Sequence, residues 1–180
     1  MFSLTVDNEL ELRLLEERHA EELFALVDAN RAYLRAWMPW LDATNSPDDI
    51  KQFIKRSLEQ FAKNDGFQTA ILFQGELAGV IGFHKFDWPN HATSLGYWLA
   101  ADRQGQGIVT RACRFLVNYA FTELKLNRVE IHCAVENRRS CAIPERLGFK
   151  REGALRQAEW LYDHYVDHVV YAVLADEWGE

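Results

Sequence analysis

Residues 99–116 read LAADRQGQGIVTRACRFL, with Gly105 and Gly107 immediately ahead of an amphipathic stretch. Glycine before a helix marks backbone that takes a conformation other residues avoid, or that comes close to a ligand. Free N–H groups in a helix's first turn suit a phosphate. Ile108, Ala112, Phe115, Leu116, Tyr119 and Ala120 recur at helical spacing and predict a helix over roughly 107–124. A P-loop is excluded, because no Gly-Lys-Ser/Thr follows the glycines. A dinucleotide fingerprint would place a third glycine where Thr110 stands, although Glu136 is positioned to serve as the ribose-binding acid.

The surrounding pattern decides against the dinucleotide. Residues 67–73, 77–86 and 93–100 read as three strands joined by tight turns, hence antiparallel neighbours. A Rossmann unit would alternate strands and helices instead. Strand 128–135, apolar at Val129, Ile131, Cys133 and Val135, follows the long helix and should run parallel to strand 93–100. Upstream, strands 2–6 and 10–15 flank a turn at Asp7-Asn8, and one helix spans about 18–36. Ser46-Pro47-Asp48-Asp49 starts a further helix with Ile50, Phe53, Ile54, Leu58 and Phe61 on one face. A short helix over 138–147 and strands near 149–158 and 165–174 complete an α+β fold. Its sheet is mixed and mostly antiparallel, with helices on both faces and one parallel pair that splays beyond 100 and 135.

Composition narrows the function classes. The 180 residues suit one domain, 1–180, with no repeat and no Ser/Gly linker. A net charge of −7 argues against a nucleic-acid face, which needs clustered Lys and Arg, and tolerates a cationic partner. No run of 18 apolar residues and no signal peptide is present, so a cytoplasmic protein without membrane contact is expected. Cys113, Cys133 and Cys141 form no metal-like spacing and fit a reducing compartment, and the six histidines are scattered singly. No metal is expected.

The loop Gln104-Gly105-Gln106-Gly107-Ile108-Val109 resembles the acetyl-coenzyme A loop of the GCN5-related N-acetyltransferases (GNAT), Gln/Arg-x-x-Gly-x-Gly/Ala. Val109 departs from the small residue usual at the last position. Larger residues occur there in the ribosomal-protein-serine N-acetyltransferase branch. LGYWLAADRQGQGIVTRA, ENRRSCAIPERLGFKREG, LRQAEW and RAYLRAWMPWL are similar to that branch in order and spacing, so the resemblance covers nearly the whole chain. It implies the GNAT acyl-CoA acyltransferase fold and acetyl-CoA as co-substrate. The implied activity is direct transfer of acetyl to an amine, chiefly the N-terminal α-amine of a ribosomal protein. A small amine, such as a polyamine or antibiotic, and a non-catalytic acyl-CoA sensor are the competing readings.

Residue by residue, the resemblance implies that Leu99 hydrogen-bonds the pantetheine. Gln104, Gly105, Gln106, Gly107, Ile108, Val109 and Thr110 hold the pyrophosphate, and Asn137 and Ser140 contact the cofactor. By the residues alone, Asn137 is equally a good helix N-cap with Ser140 in the first turn. The resemblance makes Ser140 the acid for the departing thiolate, whose pKa of about 8.5 makes that protonation undemanding. Many relatives carry a glutamate where this chain has Ser94. Glu159 matches the proposed base of the ribosomal branch, and the neighbouring Trp160 and Tyr162 are expected to shield it and raise its pKa. An α-amine with pKa near 8 is about a tenth neutral at pH 7, against well below a thousandth for lysine, and so suits a weak base better. Trp37, Pro39 and Trp40 are candidates for the acceptor cleft, Cys141 reads as a buried packing residue, and Pro144 should kink its helix. A homodimer is a family-level expectation.

Overall fold

In the computed structural model, which describes residues 2–179, eight strands form one sheet in the order β1-β2-β3-β4-β5-β6-β8-β7. The strands are β1 (Ser3–Thr5), β2 (Leu10–Leu14), β3 (Phe67–Phe73), β4 (Glu76–Asp87), β5 (Ala92–Leu99), β6 (Arg128–Ala134), β7 (Lys150–Leu161) and β8 (His164–Leu174). The helices are α1 (Ala20–Ala29), α2 (Arg31–Arg35), α3 (Pro47–Ala62), α4 (Ile108–Thr122) and α5 (Arg138–Arg146). All strand pairs are antiparallel except β5–β6. The strand α4 strand succession forces that exception, because a helical crossover returns the chain in the same direction.

Helices cover both faces. On one, the buried stripe of α4 (Ile108, Ala112, Cys113, Leu116, Ala120) packs on Leu12, Ile71, Ile81, Leu95 and Ile131. Leu23 and Val27 of α1, Leu34 of α2 and Ile50 and Ile54 of α3 pack against Ala70 and Val80 on the other. Ser46 caps α3: its Oγ accepts from the Asp49 N–H, and Asp49 Oδ2 accepts from the Ser46 N–H at 2.9 Å, the reciprocal pair foreshadowed by Ser-Pro-Asp-Asp.

Two expectations need correction. The helix foreseen over 18–36 breaks at Asn30, where φ −109° and ψ 10° leave the helical range. The Asn30 side chain donates to the Leu26 carbonyl at 2.9 Å and accepts the Ala101 N–H at 2.8 Å, so the break ties α1 to the segment leaving β5. The parallel pair parts earlier than foreseen. Pairing ends at Leu95↔Ile131, leaving Gly96–Leu99 and 132–134 facing each other without hydrogen bonds. Pro144 lies inside α5, which continues for two residues beyond it. Proline removes the N–H that would bond the Ser140 carbonyl. The Tyr97 hydroxyl, on β5, donates to that carbonyl at 3.2 Å instead.

Candidate active site

Two clefts open from the parted strands. The first, of about 1010 Å³, runs beside the glycine loop and is lined by Leu99, Gln104, Gly105, Gly107, Ile108, Val109, Thr110, Asn137 and Ser140. Gly105 and Gly107 have φ of +76° and +71°, with open space where a Cβ would stand. Backbone conformation is therefore what requires glycine here, and the space is left for a ligand. Gly107 precedes α4 without any side-chain cap, so the first-turn N–H groups of that helix stay available at its positive end. Gln106 turns away, its amide reaching the Asp102 carbonyl at 3.5 Å.

Five arginines line this groove: Arg103, Arg111, Arg138, Arg139 and Arg146. Arg103 is engaged by Glu76 and Arg111 by Asp7, whereas Arg139 reaches Gln104 Oε1 and Arg146 reaches Thr110 Oγ1 at 3.2 Å. The last two contacts clamp α5 to the glycine loop. Sequence reading passed over these arginines. A signal existed in Arg138-Arg139, two cations in the first turn of a helix, where the dipole disfavours positive charge unless an anion joins them.

The second cleft, of about 870 Å³, lies between the sheet and α1–α3. Trp37, Met38, Pro39 and Trp40 form one wall, with the Trp40 and Trp98 rings 6.2 Å apart. Arg31 fixes that wall by donating to the carbonyls of Leu41 (2.9 Å) and Thr44 (2.7 Å), and the Tyr162 hydroxyl donates to the Met38 carbonyl. Three of the six histidines, isolated in sequence, converge here as His84, His132 and His168, together with Ser94 and Glu159. Both clefts share Trp37, Met38, Tyr97, Trp98, Asn137 and Ser140, so they meet where β5 and β6 part.

Ser140 occupies that junction. Its N–H donates to Asn137 Oδ1 at 3.2 Å, and its Oγ lies 3.3 Å from the Tyr97 hydroxyl and 3.2 Å from Cys133 Sγ. Asn137 is thus an N-cap, and it aims Ser140 into the junction. Burial holds both Tyr97 and Cys133 well above their usual pKa ranges, so each stays protonated beside Ser140. Cys141 is buried with its thiol against the Ala134 carbonyl at 3.7 Å, as a packing residue.

Glu159 reaches the cleft through a distortion that the sequence does not announce. Between Leu155↔His168 and Glu159↔Val166, β7 takes four steps where β8 takes two. Gln157 there has φ +52°, and its N–H donates to Asp167 Oδ1 at 2.7 Å. Such a bulge re-aims the strand's side chains. Glu159 Oε2 lies 3.5 Å from His168 Nε2. The expected aromatic shield is absent: Trp160 is 52% exposed and packs on Tyr165, and Tyr162 anchors the cleft wall. Across the sheet, His84 Nδ1 is 3.1 Å from Ser94 Oγ and His132 Nε2 is 2.7 Å from Glu130 Oε2. Burial pushes Glu130 up, but hydrogen bonds from His132 and Arg128 outweigh it and hold the carboxyl below its usual range.

The acetyltransferase (GNAT) domain family matches residues 9–150 of the chain. The chain belongs to the GNAT acetyltransferases. Among relatives of this GNAT chain, YdaF of Bacillus subtilis (strain 168) is 38% identical over 99% of the chain and 98% of its own length. The ribosomal-protein-serine acetyltransferase of Escherichia coli (strain K12) is 32% identical, covering 97% of each protein. The structure of RimL, a ribosomal-protein alpha-N-acetyltransferase solved in complex with coenzyme A, superposes with a TM-score of 0.94 at 31% identity, covering 98% of this chain and 99% of that one. The eight-stranded mixed sheet and its single parallel pair are the GNAT fold, as the resemblance implied. Among the described residues there is no cluster of metal-ligating side chains and no helix long and apolar enough to cross a membrane.

Proposed function

We propose that this GNAT enzyme transfers acetyl from acetyl-CoA to the N-terminal α-amine of a protein, a ribosomal protein in the first instance, by direct attack within one ternary complex. The observation that carries this reading is the meeting of the two clefts at Ser140: an anion-suited groove opens on one side and a cleft with carboxylate and imidazoles on the other. The names of the relatives supply the ribosomal acceptor.

In this reading the pyrophosphate rests on the N–H groups of residues 105–110 and on Arg138, Arg139 and Arg146. Pantetheine follows the unpaired edge of β5 from Leu99 toward Gly96, using backbone groups that β6 no longer satisfies. A backbone N–H of that edge polarises the thioester carbonyl. Glu159 draws the ammonium in and takes its first proton, and Ser140, donating toward the sulfur, protonates the leaving thiolate. The thiolate is stable enough that no covalent enzyme intermediate is needed, which leaves Cys141 to packing.

Residues 1–180 serve as one acetyltransferase domain in the cytoplasm, where acetyl-CoA and ribosomal proteins meet. Exposed Leu155 and Trp160 on edge strand β7, with Tyr165 beside them, offer a surface for two-fold pairing. Sedimentation of the purified chain measures that pairing. The acceptor is tested by incubating protein and acetyl-CoA with N-terminal peptides, lysine peptides and polyamines while following thiol release. Release with free α-amine peptides is expected. Tight coenzyme A binding with no release from any acceptor would favour a sensor instead.

A further inference from the structure

An α-ammonium must lose two protons on its way to an amide: one before it attacks, and one from the nitrogen once the new C–N bond has formed. Glu159, on β7, answers for the first in the reading above. The second must be taken at the point of attack, where the two strands part.

We propose that His84 accepts that second proton at Nε2, with Ser94 as the residue that positions its ring. The geometry begins with Gly96, paired with Gly82 of β4 and the first residue of β5 beyond its pairing with β6. A Cβ on Gly96 would stand 2.2 Å from His84 Nε2 and 2.6 Å from its Cε1. The ring therefore lies against the bare Cα of Gly96 and presents its Nε2 edge where the strands separate. The other nitrogen, Nδ1, is held 3.1 Å from Ser94 Oγ. With Nδ1–H donating to that oxygen, the Nε2 lone pair faces the cleft. The register break between Phe83 and Phe86 in β4 is what gives His84 this placement.

The electrostatics agree. His84 is open to solvent through the cleft, yet the protein packed around its ring desolvates it, and this, followed by the charge of His132, lowers its pKa below the ordinary 6.5. It is neutral at pH 7 and free to take a proton. The groups lining the same cleft are Asp49 and Arg56 of α3, His132 of β6, Glu159 of β7 and His168 of β8, with Glu130 paired to His132. Asp49 is occupied by the α3 cap, and Glu130 is held by His132 and Arg128. His84 is the imidazole whose free nitrogen borders Gly96.

The balance is simple. The amine lone pair forms the C–N bond at the thioester carbonyl, the proton on the cationic nitrogen passes to His84 Nε2, and the C–S bond breaks with its electron pair leaving on sulfur. Ser140 gives its hydroxyl proton to sulfur and regains one from water in the cleft, while Glu159 and the imidazolium each release theirs to that water, so one proton is produced overall. This rests on the proposed N-acetyltransferase reaction. It explains how a chain with serine in place of a glutamate at position 94 still manages the proton.

The test compares H84Q and E159Q in acetyl transfer to an α-amine peptide across pH 5.5–9.5, with coenzyme A affinity as the check on folding. A loss in kcat of about 100-fold is expected for H84Q at every pH, with the peptide KM and coenzyme A affinity within threefold of wild type. E159Q should instead recover above pH 8, where the amine has already lost its first proton. In H84A, added imidazole should restore at least tenfold. Wild-type kcat in H84Q, or a loss in H84A that imidazole does not reverse while coenzyme A still binds, overturns the role of His84. If wild type acetylates no amine, the reaction itself is wrong, and that outcome is distinct from either.

Discussion

The groove proposed for the cofactor and the cleft proposed for the acceptor share one junction yet are built differently. The groove comes mainly from two contiguous segments, 99–111, which leads into α4, and 137–146, which is α5 with its cap. The proposed acceptor cleft draws its lining from α1, α3, β3, β4, β5, β6, β7 and β8, from the Trp37–Thr44 segment and from Asn137 and Ser140 at the start of α5. A phosphate can be held by backbone at one helix terminus, so one segment suffices. An amine that must be oriented and deprotonated needs side chains from several directions, and only the sheet gathers them. Change to the groove should therefore move donor affinity, change to the cleft should move acceptor kinetics, and only the junction should move both.

The sharpest way to break that separation is Glu159→Gln. The expected result near pH 7 is a kcat lower by about 100-fold or more, with a smaller rise in peptide KM and an unchanged Kd for coenzyme A. A KM effect larger than the kcat effect would make Glu159 a binding residue. Ser140→Ala, at the junction, should lower kcat by about tenfold to a hundredfold, since a thiolate near 8.5 needs little help. Unchanged kcat would leave Ser140 with the structural role that its bond to Asn137 already gives it.

Within the groove, Arg138→Ala or Arg146→Ala should raise the Kd of coenzyme A by about tenfold each, the scale of a charge-assisted hydrogen bond, and leave kcat at saturating donor alone. Calorimetric titration reads this directly. Gly107→Ala is smaller still in stability: a left-handed φ of +71° costs a side chain about 1 kcal/mol, which lowers Tm by a few degrees in thermal melts. The smallest effect is pH-linked. His84 has a folded pKa below its unfolded 6.5, so between the two values the unfolded chain binds more protons. Stability should rise with pH through that window and fall on acidification below 6.5, and H84Q should flatten this slope in denaturant titrations.

How much of this was legible in sequence follows the same division. The glycine loop, the α4 stripe, the Ser46 cap and the antiparallel run β3–β5 are local patterns, and the structure places them within a few residues of expectation. Asn137 and Ser140 were legible because capping is a local geometry. The helix break at Asn30 was not, because its cause is a hydrogen bond to Ala101, 71 positions away. The aim of Glu159 depends on a bulge set against β8, and the gathering of His84, His132 and His168 depends on strand order. No periodicity records either. The Ser140 carbonyl that Pro144 leaves without its helical N–H is met by Tyr97, a partner again distant in sequence.

The claim that donor and acceptor meet at one junction is tested most directly by a bisubstrate ligand, in which coenzyme A sulfur is joined through an acetyl bridge to the α-nitrogen of an acceptor peptide. If the two clefts open on each other at Ser140, this ligand should bind at least 100-fold more tightly than coenzyme A in calorimetric titration, because both halves are engaged at the cost of one association. Affinity no better than that of coenzyme A would mean that the clefts do not act together, and would contradict direct transfer between them.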